Sequence, residues 1–238
     1  MADLTVIVPS RGRPEAAHEL VKAFDATCSA DTQLVFAIDE RDQAGIYDYP
    51  YNERATTLWW ESTTMVEALN QCAVALATGD PRVGETLLPP PFALGFMGDD
   101  HRPQSVGWDR AYLDALRDLG TGLVYGDDLL QRQNLPTQVA MTADIVRALG
   151  FMAPPTLTHL YVDNFWKDLG IAAGCLRYLP DVVVEHRHPV AGKAQWDANY
   201  ARVNDSVMYE RDARAYELFV GAGELHSAVD AVKALRHG

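Results

Sequence analysis

Phe92-Ala93-Leu94-Gly95-Phe96-Met97-Gly98-Asp99-Asp100-His101 is an apolar run that stops on two aspartates. Five or six apolar residues in a row read as a buried strand. Adjacent carboxylates at its end cannot be core, because an unpaired buried charge is too costly. They must face water, a cation or a ligand. Hard oxygen donors at a strand end suit Mg2+ or Mn2+ carrying a phosphorylated substrate.

Strands and helices alternate on both sides of this run. Upstream, Leu4-Thr5-Val6-Ile7-Val8 is a buried strand and Pro9-Ser10-Arg11-Gly12-Arg13-Pro14 a turn. Pro14 suits the first turn of a helix, along which Ala17, Leu20, Val21 and Phe24 repeat at helical spacing. Residues 34–38 form a second strand ending at Asp39, residues 43–54 a loop, and Leu58-Trp59-Trp60 a third strand. Thr64 and Glu67 have capping-box spacing. The helix they open carries Met65, Leu69, Cys72, Ala73 and Leu76 on one face and stops at Gly79. Residues 80–91 are a loop ending in three prolines.

Downstream, Trp108, Tyr112, Ala115, Leu116 and Leu119 mark a helix that Gly120 stops. Leu123-Val124-Tyr125 is a strand running into Gly126-Asp127-Asp128. Residues 139–141 are extended, and Thr142 is expected to cap a helix through Leu149. Tyr161, Val162, Phe165, Trp166 and Leu169 predict a helix ended by Gly170. Residues 176–179 and 182–184 read as a closing pair of strands leading into Glu185-His186-Arg187-His188. Residues 195–236 read as mostly helical, with a break at Gly221–Gly223. The expected fold class is α/β with a mixed, mostly parallel sheet flanked by helices. A catalytic domain over 1–190 carries a helical extension, 191–238, packed on it.

The 238 residues include 20 basic and 33 acidic ones, for a net charge of −13. That balance disfavours a broad nucleic-acid surface, which needs basic patches. Arg11, Arg13, Arg54, Arg102, Arg132, Arg187 and Lys193 fall in expected loops, where they either gather around an anion or are solvated. No run of 18 apolar residues occurs, so no membrane span is expected. The start lacks the basic region of a signal peptide. Cys28, Cys72 and Cys175 are isolated and odd in number, which favours buried free thiols in a reducing, cytoplasmic setting.

In open α/β sheets, ligands sit beyond the carboxyl ends of strands. Pro9-Ser10-Arg11, Asp39, Asp99-Asp100 and His186/His188 all fall there. Each taken singly also fits an ordinary surface residue; together they mark a site.

This arrangement resembles the GT-A glycosyltransferases, especially the family-2 type, over residues 3–190. The short form is also similar to glycosyltransferase-like proteins of actinobacterial phages. The resemblance implies a GT-A-like fold and a metal-dependent, inverting transfer of sugar from a nucleotide-diphosphate donor, UDP-linked by expectation, to an acceptor hydroxyl. Pro9, Ser10, Arg11 and Arg13 lie in the matching nucleotide loop, and Asp39 matches the acid that contacts base or ribose. Gly98-Asp99-Asp100 matches the aspartate motif that grips ribose and metal, with Asp99 toward the ribose and Asp100 the first metal ligand. His186 or His188 falls where many members place a further ligand to Mn2+ or Mg2+. Asp163, in Tyr161-Val162-Asp163-Asn164, matches the general base. Gly98 and Val162 depart from the family pattern, which often has acids at both positions.

Read from the residues alone, Asp163 also fits a helix N-terminal carboxylate. Asp127 and Asp128 either line the acceptor side or form a turn. Trp108 and Trp166 fit core faces, and Trp196 belongs to a lid or to the core. The expected acceptor is a protein, a glycan or a modified DNA base, with the acidic balance against DNA. The C-terminal helices shape the acceptor side or a homo-oligomer contact. Two other functions compete. A dinuclear phosphoesterase is suggested by the repeated Gly-Asp-Asp and the His-x-His pair. A non-catalytic nucleotide- or glycan-binding module is suggested by the departures at Gly98 and Val162.

Overall fold

The first strand, β1 (Leu4–Ser10), is buried on both faces and occupies the middle of the sheet. Leu4, Val6 and Val8 point into one hydrophobic core and Ile7 into the other, as the two-residue strand period requires. The structure, a computed structural model, describes residues 2–42, 53–80, 90–188, 192 and 205–237. Residues 43–52 of the expected 43–54 loop, most of the 80–91 loop, Lys193, Trp196 and the 195–204 part of the helical reading lie outside the described residues.

Seven further strands follow: β2 (Thr32–Asp39), β3 (Ala55–Trp60), β4 (Ala93–Phe96), β5 (His101–Pro103), β6 (Leu123–Asp127), β7 (Val139–Thr142) and β8 (Leu176–His186). They form one mixed sheet in the order β3-β2-β1-β4-β7-β6-β8-β5. Strands β1 to β4 pair in parallel, as do β6 and β8. β7 runs antiparallel to both β4 and β6, so β6 and β8 point the same way as β1, β2 and β4. Their carboxyl ends therefore share one edge of the sheet, which is where an α/β fold binds its ligand.

The helices α1 (Pro14–Thr27) and α3 (Trp108–Leu119) cover one face. The other is covered by α2 (Met65–Thr78), α4 (Ala143–Leu149) and α5 (Val162–Ala172). The C-terminal helices α6 (Ser206–Gly221) and α7 (Glu224–His237) bury Tyr216, Phe219, Ala228, Val229 and Val232 in that same core. Trp108 and Trp166 are fully buried, and all three cysteines are free thiols. Among the described residues no helix is long and apolar enough to cross a membrane.

Four local expectations are corrected. The closing pair of strands is a single strand, β8, whose pairing with β6 jumps from Leu179 to Val183 at Asp127. Pro180-Asp181-Val182, after the paired Leu179, forms a bulge, which keeps proline off the ladder. Gly170 does not end α5, which continues to Ala172. A Cβ on Gly170 would lie 2.8 Å from the Cβ of Leu176, so the glycine lets helix and strand approach. Thr142 precedes α4 without a side-chain cap; its Oγ1 accepts from Gly122 N at 3.2 Å. The three-residue strand β5 was not anticipated, because His-Arg-Pro carries no apolar periodicity.

Candidate active site

The carboxyl edge opens into a cleft of about 270 Å³ that Pro9, Ser10, Arg11, Arg13, Asp39, Asp99, Asp100, Asp163, His186 and His188 all line. The strand-end residues and the start of α5, up to 179 positions apart by number, thus meet in one place.

Asp99 and Asp100 occupy a turn between β4 and β5 and face different partners. Ser10 Oγ donates to Asp99 Oδ2 at 2.7 Å, and Arg13 Nη1 to Asp99 Oδ1 at 3.3 Å. Burial, and then the neighbouring Asp100 charge, push the Asp99 carboxyl up to about 6 despite these bonds. Asp100 Oδ2 lies 3.3 Å from His186 Nε2, and its Oδ1 lies 3.4 Å from His101 Nδ1. Burial opposes ionisation of Asp100, yet its histidine neighbours, with His186 as the hydrogen-bond donor, hold it well below the usual carboxylate range. His186 moves the opposite way to an isolated buried imidazole. Burial lowers its pKa, but the Asp100 carboxylate outweighs that and raises it.

His101 was overlooked in the sequence although it directly follows the aspartates. Its ring stacks on His186 with centroids 4.3 Å apart, an arrangement set by the pairing of His101 with His186 across β5 and β8. Gly98 N donates to His101 Nδ1 at 2.9 Å. Burial, and then the nearby His186 charge, lower the His101 pKa, in keeping with an accepting, neutral ring.

Asp100, His101 and His186 each offer a ligand atom, and these atoms lie within 4.8 Å of one another. The set fits a divalent cation. A carboxylate with imidazoles suits Mn2+. His186 Nδ1 is buried with no hydrogen-bond partner among the described residues. His101 must release Gly98 N–H before it can ligate, which leaves Asp100 and His186 as the readier donors. His188 lines the cleft 5.3 Å from the His186 ring but stands outside this cluster. Burial, and then the charge of His186, lower its pKa.

Gly98 occupies the position where a third acid was considered. A Cβ there would sit 2.6 Å from Asp100 Oδ1 and 3.2 Å from His101 Nδ1. No acid fits at 98 while Asp100 and His101 keep these positions.

Asp39 lies in the cleft wall and accepts from Arg41 through both carboxylate oxygens, at 2.9 and 2.7 Å. The hydrogen bond from Arg41 lowers its pKa against the effect of burial. Arg41 also donates to the Ser62 carbonyl. Asp163, in the first turn of α5, accepts from Asn164 N at 2.9 Å, and burial raises its pKa. A carboxyl held this way is suited to take a proton.

Other expected residues do different work. Asp128 is buried, and its Oδ1 accepts from the amides of Leu130, Gln131 and Arg132 at 2.9, 2.7 and 2.7 Å. Its Oδ2 accepts from Thr137 Oγ1 at 2.7 Å. Asp127 Oδ1 accepts from Leu129 N at 2.8 Å. The second Gly-Asp-Asp therefore closes β6 and anchors the loop that follows it, and neither acid lines the cleft. Arg102 is buried and donates to the carbonyls of Asp99, His101 and Ala16. Arg54 donates to the carbonyls of Ala30 and Thr32, and Arg187 to Glu185. Of the arginines considered as an anion cluster, Arg11 and Arg13 line the cleft.

One stretch of the cleft wall was not anticipated. Thr158, His159, Leu160 and Tyr161 form it, with Met208 of α6. No pattern marks a Thr-His-Leu loop as part of a site.

The sheet order and flanking helices match the GT-A fold seen in solved nucleotide-sugar transferases. Residues 1–349 of S. aureus TarS superpose with a TM-score of 0.57 at 12% identity, covering 100% of this chain and 90% of that one. Against the longer TarS structure the chain spans 36% of its length. The Pyrobaculum calidifontis mannosyltransferase PcManGT, in complex with GDP-Man and Mn2+, gives 0.56 at 12% identity, covering 98% of this chain and 73% of that one. Glucosyl-3-phosphoglycerate synthase from Mycobacterium tuberculosis, solved with Mn2+ and UDP, gives 0.54 at 11% identity, covering 89% and 80%. No protein-family model and no curated protein sequence matches the chain.

Proposed function

We propose that this chain is a metal-dependent glycosyltransferase that moves a sugar, with inversion, from a nucleoside-diphosphate donor to an acceptor hydroxyl, with UDP the preferred nucleotide. The observation that carries this reading is the meeting of Ser10, Arg13, Asp39, Asp99, Asp100, His186 and Asp163 in one cleft at the sheet's carboxyl edge. The GT-A likeness supports it, and so do the Mn2+ and nucleotides named for the superposed proteins.

On this reading Asp39 and Asp99 face the nucleoside, while Arg11 and Arg13 face the diphosphate as charged donors. Asp100 and His186, with His101 beside them, hold Mn2+ or Mg2+. When bound, the ion neutralises charge developing on the departing diphosphate. Asp163 takes the proton of the acceptor hydroxyl as that oxygen attacks the anomeric carbon. The bond from that carbon to the diphosphate oxygen breaks on the opposite face, so the anomeric centre inverts. A general base of this kind contributes about 10²–10⁴-fold in rate.

The phosphoesterase reading needs a second metal. Among the described residues there is one cluster of suitable ligands, and Asp127 and Asp128 are engaged in a turn. Calorimetric titration with UDP in the presence of Mn2+ tests the proposal. Native protein should bind, and Asp100→Ala should lose about tenfold or more in Mn2+-dependent affinity. No binding by native protein, or undiminished binding by the variant, would count against the proposal. Donor hydrolysis by native protein but not by Asp163→Ala separates an enzyme from a binding module.

A further inference from the structure

Asp212 is a carboxylate with no solvent exposure, in the middle of α6 and far from the strand-end motifs in sequence. A buried charge of this kind must be met by donors. Here the donors are three consecutive backbone amides. Thr158 N donates to Oδ1 at 3.1 Å, and His159 N and Leu160 N donate to Oδ2 at 2.8 and 2.7 Å. These amides belong to the cleft wall.

The wall passes straight into Tyr161, which adopts φ 66, a left-handed conformation that non-glycine residues rarely occupy. Such a conformation persists where the surroundings over-determine it. They do so here from both sides. Asp212 fixes the three preceding amides, and the Tyr161 ring packs against Tyr209 and Tyr216 of α6, with centroids 5.5 and 5.9 Å away. Thr158 O also accepts from Val66 N at 3.3 Å, tying the wall to α2. Two residues beyond Tyr161 comes Asp163.

We infer that Asp212 is a positioning residue, through which α6 sets the wall that carries Asp163. The inference rests on the reading of Asp163 as the base. It makes α6 part of the catalytic apparatus without contact between Asp212 and the reacting atoms. Asp212→Asn turns one carboxylate oxygen into an NH2, which in either orientation sets a donor against the Thr158 amide or against those of His159 and Leu160, so the wall must shift. A displacement near 1 Å in a positioning group can lower turnover about 10²-fold. The nucleotide side, built by β1, β2 and β4, is untouched.

The test compares native protein with Asp212→Asn by three measurements. These are UDP affinity with Mn2+, amide hydrogen exchange over residues 156–164, and nucleotide release from UDP-glucose, UDP-N-acetylglucosamine and GDP-mannose with water as acceptor. The expected result is UDP affinity within twofold of native, exchange at 158–160 at least tenfold faster, and kcat about 10²-fold lower with KM nearly unchanged. Unchanged exchange, or kcat within twofold of native, overturns the inference. So does a parallel loss of UDP affinity, which would mark Asp212 as a general support of the fold. If native protein neither binds UDP nor releases nucleotide, the transferase reading fails, and the exchange data still decide whether Asp212 holds the wall.

Discussion

Gly98→Ala isolates the geometry on which the metal site depends. Gly98 is not in the left-handed region, so alanine is acceptable to the backbone. Its Cβ, however, would lie 2.6 Å from Asp100 Oδ1 and 3.2 Å from His101 Nδ1. Ordinary contact begins at 3.4 Å, so the carboxylate oxygen must retreat by about 0.8 Å, a distance on which positioned groups lose most of their effect. The move also loosens Asp100 from His186, which holds its other oxygen at 3.3 Å. Losses from disturbing groups around a metal are typically about 10–100-fold in affinity, or about 1.4–2.7 kcal/mol. The fold should change little in stability, because restricting a glycine offsets part of the crowding. Titration with Mn2+, following free ion by electron paramagnetic resonance, reads the effect without a sugar donor. Mn2+ affinity in Gly98→Ala within twofold of native would refute the idea that glycine is there to make room for Asp100.

Two other perturbations separate function from stability. Burial raises the folded pKa of Asp163 above its ordinary 3.8, so the folded state holds that proton more tightly than the unfolded chain. Its favourable contribution is present at low pH and is lost as pH rises from about 3.8 through the raised folded value. Asp163→Asn should therefore melt no lower than native at pH 7 while turnover falls about 10²–10⁴-fold; a markedly lower melting temperature would contradict this sign. Native turnover should decline on acidification through the same raised pKa. Asp128→Ala leaves three amides and the Thr137 hydroxyl without their acceptor. It should cost about 2–4 kcal/mol in denaturant unfolding, with UDP affinity within threefold of native. A loss of UDP binding with unchanged stability would instead place Asp128 in the site.

The strands and most helices are legible in the sequence because their signals are local. Ala17, Leu20, Val21 and Phe24 repeat at helical spacing and are all buried in α1. Gly79 ends α2 in a left-handed conformation, and the Thr64 hydroxyl accepts from Glu67 N at the start of that helix. The misreadings arise where composition and context disagree. Pro180-Asp181 has the residues of a turn, but pairing at Leu179 and Val183 on either side makes the stretch a bulge within β8. Gly170 resembles a helix stop, but its lack of a Cβ serves the approach of Leu176.

The apolar run ending at Asp99-Asp100 announces a strand and polar groups at its tip, because burial and charge are written residue by residue. Which acid meets which partner is not written there. Asp99 turns to Ser10 and Arg13, and Asp100 to His186 and His101, because β1 lies beside β4 while β5 pairs with β8. The identical Gly-Asp-Asp at 126–128 ends β6 and becomes a loop anchor because the amides of the following residues fold back onto Asp128. Asp212 carries no motif at all. Its importance comes from chain packing that brings one buried carboxylate to three amides more than fifty residues away.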